Sequence, residues 1–422
     1  MDYDDLNYGN MDFGPSQNDY IGSKFYLPSA SDCMRCGLCL NSCPTYSLFQ
    51  NEAETPRHRI RIIDKILNNN LSITVEEREH LNNCLQCRAC EPVCPSKMAY
   101  GELFDETQRQ LARPLGLLAK LAFWLVEHKR WRTMLMPLLA LYLKSGIQKP
   151  LRKSGLLKKL LLAETEILLT KPALQNLKTH YPSKCGETLG RVGLFTGCLA
   201  EHFDHETLIA TIELLTVIGF EVIVPSEQSC CGAIHQHNGQ PAEQFIANNI
   251  KVFNSLNLDA IVYTATGCGA MLSEYQCSDT QAVENFKRQL FDINNFLLTH
   301  WPERLKLKPV NLNVAVHEPC SQRNVLKNQQ AVYQLLGKIP GITIFSLANN
   351  HICCGSGGSY MLTHPENAAY LRSNKINAIA NSEADKILSC NFGCALYLKT
   401  AGEKIEHPVK LLWVQLNEKT CR

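Results

Sequence analysis

The spacing of apolar and polar positions divides the chain into three textures. The stretch Pro56-Arg57-His58-Arg59-Ile60-Arg61-Ile62-Ile63-Asp64-Lys65-Ile66-Leu67 opens with proline and predicts a helix. Residues 75–81 predict a second one. Between 111 and 161, Leu117, Leu118, Leu121, Trp124 and Leu125, then Leu135, Leu138, Leu139 and Tyr142, recur at the i, i+3, i+4 spacing of amphipathic helices. After Pro182 the period shortens. Residues 192–195, 222–224 and 260–263 read as buried strands separated by helical stretches, and a second set follows at 314–316, 343–345 and 386–388.

The polar positions of the middle segment are strongly basic. Lys120, Lys129, Arg130, Arg132, Lys144, Lys149, Arg152, Lys153, Lys158 and Lys159 stand against one acid, Glu127. No apolar run there reaches the roughly 18 residues that a span needs, because Lys120 and Pro137 interrupt the best ones. Two readings stay open: a basic amphipathic layer on an anionic membrane surface, or a connector with a solvated basic side.

Over all 422 residues, 42 basic and 40 acidic side chains nearly cancel, so no global field draws the chain to nucleic acid. The 45% hydrophobic content is enough for several cored domains. The load of 20 cysteines then becomes the main chemical question. The start, Met1-Asp2-Tyr3-Asp4-Asp5, has no basic n-region or apolar h-region, so a cytosolic location is expected. Thiols kept reduced at regular spacing there are metal ligands or redox groups before they are disulfides.

Cys33, Cys36, Cys39 and Cys43-Pro44 form a C-x2-C-x2-C-x3-C-P run, and Cys84, Cys87, Cys90 and Cys94-Pro95 repeat it. Three thiolates on one tight loop occupy three corners of a cubane, while the fourth reaches the other cluster. Cys33, Cys36, Cys39 and Cys94 are therefore expected on one [4Fe-4S] cluster, and Cys84, Cys87, Cys90 and Cys43 on a second. Zinc knuckles fit poorly, since a zinc site takes two pairs of ligands and not a triplet plus a Cys-Pro. The arginines between the runs are expected mainly on a solvated helix face.

The remaining cysteines come in two matched sets. Cys198, Cys230-Cys231-Gly232 and Cys268 are followed by Cys320, Cys353-Cys354-Gly355 and Cys394, at offsets of 122, 123, 123 and 126 residues. That is duplication of a whole unit. Each cysteine follows a predicted strand, where an α/β sheet places ligands, and the two halves are expected to face each other around a shared site. Adjacent thiols suit two bonds to a further cluster or a thiol redox centre, with helix starts after Gly232 and Gly355 favouring thiolates. His235, His237, His317 and His351 lie near these cysteines and are read first as hydrogen-bonded structural histidines. Cys185, Cys277, Cys390 and Cys421 fall outside the repeat.

Two ferredoxin-type runs followed by two Cys-Cys-Gly repeats resemble the iron-sulfur subunits of glycolate oxidase, from about residue 30 onward. Residues 33–45, 264–270 and 353–365 carry the closest local likeness. The wider superfamily includes the anchor subunit of anaerobic glycerol-3-phosphate dehydrogenase, lactate-utilisation proteins and heterodisulfide reductase. The last of these implies noncubane [4Fe-4S] clusters held by five cysteines per repeat. Here Met271 and Tyr397 stand where the fifth would be, leaving four.

The expected architecture is multi-domain: an acidic polar tail (1–28), an α-helical 2[4Fe-4S] ferredoxin domain (29–110), a basic amphipathic helical connector (111–182), and a duplicated α/β Cys-Cys-Gly domain (183–303 and 304–422). No G-x-G-x-x-G follows a strand and no P-loop occurs, so neither flavin nor nicotinamide is expected on this chain. Cubanes move one electron at a time, whereas oxidising a 2-hydroxy acid releases two, which calls for a flavin on a partner. The resemblance implies FAD-containing flavoprotein subunits oxidising glycolate or D-lactate. This chain would pass electrons to a membrane quinone or other acceptor, from a peripheral position on the cytoplasmic face of the inner membrane. The alternatives are a glycerol-3-phosphate or lactate dehydrogenase subunit, a thiol-disulfide reductase working through Cys230-Cys231 and Cys353-Cys354, and a zinc-binding adaptor.

Overall fold

The computed structural model of the chain describes residues 29–69, 71–112, 115–159 and 162–417. The tail expected over 1–28 and Cys421 lie outside them.

The first region is helical. Helices α1 (Pro44–Phe49), α2 (Pro56–Leu67), α3 (Val75–Asn82) and α4 (Tyr100–Gln110) enclose a core that includes Ile60, Ile63, Leu81, Leu103 and Phe104. Proline at the first turn and Thr55, whose side chain accepts the His58 N–H, fix the start of α2. Thr74 and Glu77 close a capping box on α3. Among the described residues no strand occurs before His180.

Helices α5 (Leu117–Glu127) and α6 (Lys129–Ser145) form a hairpin hinged at His128. Much of its apolar stripe faces outward: Leu117, Leu118, Leu121, Met134, Leu138 and Leu141 are all exposed. One of its basic residues departs from the expected solvated side. Arg132 is buried, and its Nη1 donates to the carbonyls of Leu125 at 3.2 Å and Val126 at 2.7 Å. The end of α5 leaves those carbonyls without partners in their own helix, and a cation answers both the hydrogen bonds and the helix dipole.

The duplicated half contains two sheets. Strands β1 (His180–Tyr181), β2 (Gly190–Phe195), β3 (Phe220–Ile223), β4 (Ala260–Tyr263) and β5 (Leu290–Asp292) lie in the order β1-β3-β2-β4-β5, with only β1 antiparallel. Strands β6 (Leu312–His317), β7 (Ile342–Ser346), β8 (Lys386–Ser389) and β9 (Ile405–Glu406) lie in the order β7-β6-β8-β9, all parallel. Apart from β1, which has no counterpart, the two orders superpose strand for strand. In each, the chain leaves the central strand to one side and returns to the other, which opens a crevice at the carboxyl ends of the strands. One apolar core joins the repeats, with Val192 and Leu194 of β2 and Val314 and Val316 of β6 in the same cluster. Helices 205–218 and 408–415 pack against each other across that join.

Candidate metal centres

The two ferredoxin-type runs wind in the same way. Arg35 and Gly37 have φ of 57° and 86°, and Gln86 and Arg88, 51 residues further on, have 52° and 56°. A left-handed residue between successive cysteines curls a short loop so that its sulfurs converge. At three of these positions the sequence accepts a side chain where glycine would cost least.

Cys43, from the first run, lines one cavity together with Cys84, Cys87 and Cys90 of the second. Pro44, Thr45, Arg59, Leu85 and Tyr100 complete its wall. Several donors are aimed at these sulfurs: the Tyr100 hydroxyl and the Gln86 N–H each lie 3.4 Å from Cys84 Sγ, and Thr45 Oγ1 lies 3.1 Å from Cys43 Sγ. Burial pushes the Cys84, Cys87 and Cys90 thiols above their ordinary range. Four such thiols at one cavity suit a cationic iron-sulfur centre, which would draw off their protons. Cys33 and Cys94 border the same apolar core, Cys39 is pushed up to about 11, chiefly by burial, and Cys36 is exposed.

Arg59 is the exception to the solvated face expected for the arginines of α2. It is 1% exposed. Its Nε donates to the His80 carbonyl at 2.6 Å, its Nη1 to Thr45 Oγ1 at 2.9 Å, and its Nη2 to Glu54 Oε2 at 2.5 Å. Arg59 lies on the face of α2 that buries Pro56, Ile60, Ile63 and Ile66, so its helical position marked it for burial although its residue type did not.

The repeat cysteines form two tetrads, one per repeat, instead of the single shared site expected. Cys198, Cys230, Cys231 and Cys268 follow one another closely enough for each thiol to shift the proton affinity of the next, as do Cys320, Cys353, Cys354 and Cys394. Each tetrad gathers at its own switch point because each sheet has its own crevice. Asn391 bridges them, accepting the Gly267 N–H at 3.1 Å and donating to Cys394 Sγ at 3.3 Å. Gly232 and Gly355, with φ of 91° and 88°, each turn their N–H to 3.4 Å from the first sulfur of the pair, Cys230 and Cys353.

A helix (Ala233–His237) follows Gly232 as expected, but none begins directly after Gly355. The chain first turns through Gly357 and Gly358, both left-handed, and becomes helical at Tyr360–Thr363. Within the tetrads, the neighbouring Cys320 and Cys354 thiols hold Cys353 well below its ordinary range, whereas Cys230 is raised.

The ferredoxin region rests on both repeats. Gln86 Nε2 donates to the His237 carbonyl at 3.0 Å, and Arg88 pairs with both Glu91 and Glu274. Asn324 Nδ2 donates to the Cys87 carbonyl at 2.7 Å. Burial, and behind it the charge of a Cys353 thiolate, raises the proton affinity of Cys87. Cys87, Cys320 and Cys353 lie in one apolar cluster with Leu85 and Tyr360.

The candidate histidines divide. His235 contacts Glu127 Oε1 at 3.0 Å, His237 contacts Asp105 Oδ1 at 3.3 Å, and His351 is exposed. His317 alone joins a tetrad: its ring nitrogen and the sulfurs of Cys354 and Cys394 lie within 4.8 Å of one another, all buried. Met271 and Tyr397, at the fifth-cysteine positions, are both buried. Among the described residues no helix is long and apolar enough to cross a membrane.

Comparison with known proteins agrees with this division of the chain. Residues 29–98 match the 4Fe-4S dicluster domain, and residues 192–273 and 314–399 match the cysteine-rich domain. Residues 114–169 match the linker region of the glycolate oxidase iron-sulfur subunit. The chain is 34% identical over 399 residues to the probable glycolate oxidase iron-sulfur subunit of Bacillus subtilis, covering 88% of this chain and 89% of that one. It is 32% identical over 410 residues to the glycolate oxidase iron-sulfur subunit of Escherichia coli, covering 92% and 93%. Lactate utilization protein A of an Exiguobacterium species matches at 26% identity over 242 residues, 54% of this chain and 97% of that one. With a dicluster domain, a linker and two cysteine-rich repeats in series, and such identity over nearly its whole length, this iron-sulfur protein belongs to the family of glycolate oxidase iron-sulfur subunits.

Proposed function

We propose that the chain is the electron-transfer subunit of a glycolate-oxidising complex. It takes electrons from a flavoprotein subunit and delivers them toward a membrane acceptor such as quinone. In this reading Cys33, Cys36, Cys39 and Cys94 hold one [4Fe-4S] cluster, and Cys84, Cys87, Cys90 and Cys43 hold the other. The observation that carries it is the seat of Cys87 on the second repeat: Asn324 donates to the Cys87 carbonyl and Cys87 packs on the apolar cluster that holds Cys353, so electrons have a short path from one half of the chain to the other. The family name supplies glycolate, and the flavin on a partner follows from the two-electron chemistry of a 2-hydroxy acid.

The α5–α6 hairpin supports a peripheral position on a membrane. Its exposed leucines are interleaved with Lys120, Arg130 and Lys144, the combination that anionic lipid surfaces attract.

The test is an iron and acid-labile sulfide count with EPR of the anaerobically purified chain, alone and with Cys268 and Cys394 changed to serine. About eight irons supports the ferredoxin pair. Iron beyond that, lost in the variant, supports a further centre in the repeats, and iron-free protein overturns the reading.

A further inference from the structure

The two repeats are alike in backbone and unlike in what surrounds their thiols. At the end of the central strand, Phe195 of β2 pairs with Tyr263 of β4; at the matching place His317 of β6 pairs with Ser389 of β8. Two aromatic rings in the first repeat are thus replaced by an imidazole and a hydroxyl in the second. A second exchange lies behind the cysteine pair. Aligning β4 with β8 matches Ala260 to Lys386 and so Asn249 to Lys375, both at an offset of 126 residues. Asn249 is fully buried and neutral, bonded to the Cys230 carbonyl and the Tyr275 hydroxyl. Lys375 is 1% exposed, with its ammonium donating to the Asn349 carbonyl beside Cys353, Cys354 and Cys394.

We propose that His317 is the fifth ligand of an iron-sulfur centre in the second repeat, completing with its imidazole the set begun by Cys320, Cys353, Cys354 and Cys394, and that the first repeat has no such ligand. The inference rests on the reading that the repeats hold iron-sulfur centres. His317 Nδ1 lies 3.0 Å from Ser389 Oγ. Such a contact from one ring nitrogen orients a ligating histidine: with Nδ1–H donating to the hydroxyl, Nε2 would be left to bind metal. The ring nitrogen is within 4.8 Å of the Cys354 and Cys394 sulfurs, a spacing that donors to one metal centre can share. The corresponding side chain of the first repeat, Phe195, has no donor atom at all.

A neutral imidazole completes the ligand set without the negative charge that a fifth thiolate would bring, and Lys375 adds a positive charge beside it that the first repeat lacks. A nearby positive charge raises a reduction potential. The second repeat, which touches Cys87, is thereby the more oxidising of the two.

The test uses the full chain purified anaerobically, with histidine labelled by 15N in an unlabelled background. Pulsed EPR across a redox titration is combined with Mössbauer spectroscopy and metal analysis. A histidine nitrogen coupled to the repeat centre, absent in His317→Phe while the ferredoxin signals persist, is the expected result. In Lys375→Asn the iron count should hold and the potential of that centre should move negative, a readout that does not depend on a ligand variant folding. A repeat centre whose iron, spectrum and potential are unchanged in His317→Phe overturns the proposal alone. Zinc in place of iron at the second repeat overturns it too. An unaltered chain without iron in the ferredoxin runs would show instead that the underlying electron-transfer reading had failed.

Discussion

The guanidinium of Arg59 lies with Nη1 3.9 Å from the sulfur of Cys43, inside the first helical core. Its charge is balanced by Glu54, itself bonded to His80 Nδ1 at 2.7 Å and Asn83 Nδ2 at 2.9 Å. A buried cation thus stands beside the one cysteine that joins the second run's thiols from the first run.

Replacing Arg59 by methionine should have two separable effects. Leaving Glu54 buried without its guanidinium, held only by His80 and Asn83, should cost about 3 kcal/mol of stability. Losing the positive charge should shift the neighbouring cluster's potential to more negative values. The double change Arg59→Met with Glu54→Gln should recover part of the stability but not the potential. Denaturant melts and redox titrations of the three proteins check this; equal potentials would show that the cation does not act on the cluster.

Asn324→Ala should leave the iron content unchanged, because Asn324 bonds the backbone carbonyl of Cys87 and not its sulfur. Its loss should weaken the seat of the second run against the π-helical turn 321–326 by about 1 kcal/mol. Electron exchange between the two halves should slow. Pre-steady-state reduction followed optically gives the answer, and an unchanged rate would remove this contact from the path.

Changing Leu121 and Leu138 to glutamate should weaken sedimentation with anionic vesicles and leave soluble electron transfer intact. Each basic residue near such a surface is worth about 1 kcal/mol and is screened by salt. Replacing Lys120 or Lys144 with glutamine should therefore reduce binding mostly at low ionic strength. Vesicle binding that ignores both charge and salt would argue against a lipid-facing hairpin.

His407 supplies the pH dependence. Burial pushes its imidazole down to about 3; Nε2 donates to the Thr264 carbonyl at 3.0 Å, and Nδ1 accepts the Val409 N–H at 3.2 Å. The unfolded chain takes up a proton near the ordinary value of 6.5 while the folded chain does not. Stability from this group is therefore complete above 6.5 and falls as pH drops toward 3, by on the order of 1.4 kcal/mol per pH unit. His407→Gln should flatten that part of the stability profile measured at equal iron content. An unchanged slope would assign the acid lability to other groups.

The strands at 192–195, 260–263 and 386–388 were legible because buried parallel strands are short continuous apolar runs, and helix α2 because proline opens it. The duplication was legible from cysteine offsets alone. The arrangement of the tetrads was not. Nothing in the spacing says that Cys353 approaches Cys87 across more than 260 residues, or that each repeat closes its own site.

By itself, the sequence determined the local chemistry: which cysteines share a loop, which repeat matches which, and the family to which the chain belongs. These follow from residue spacing, and spacing survives in one dimension. Only the tertiary structure decided that Arg59 is buried beside Cys43, that the hairpin's leucines face outward, and that His317 meets Cys354 and Cys394. Each of these is a contact between segments far apart in the chain, set by how helices and sheets pack and not by the period of any one of them.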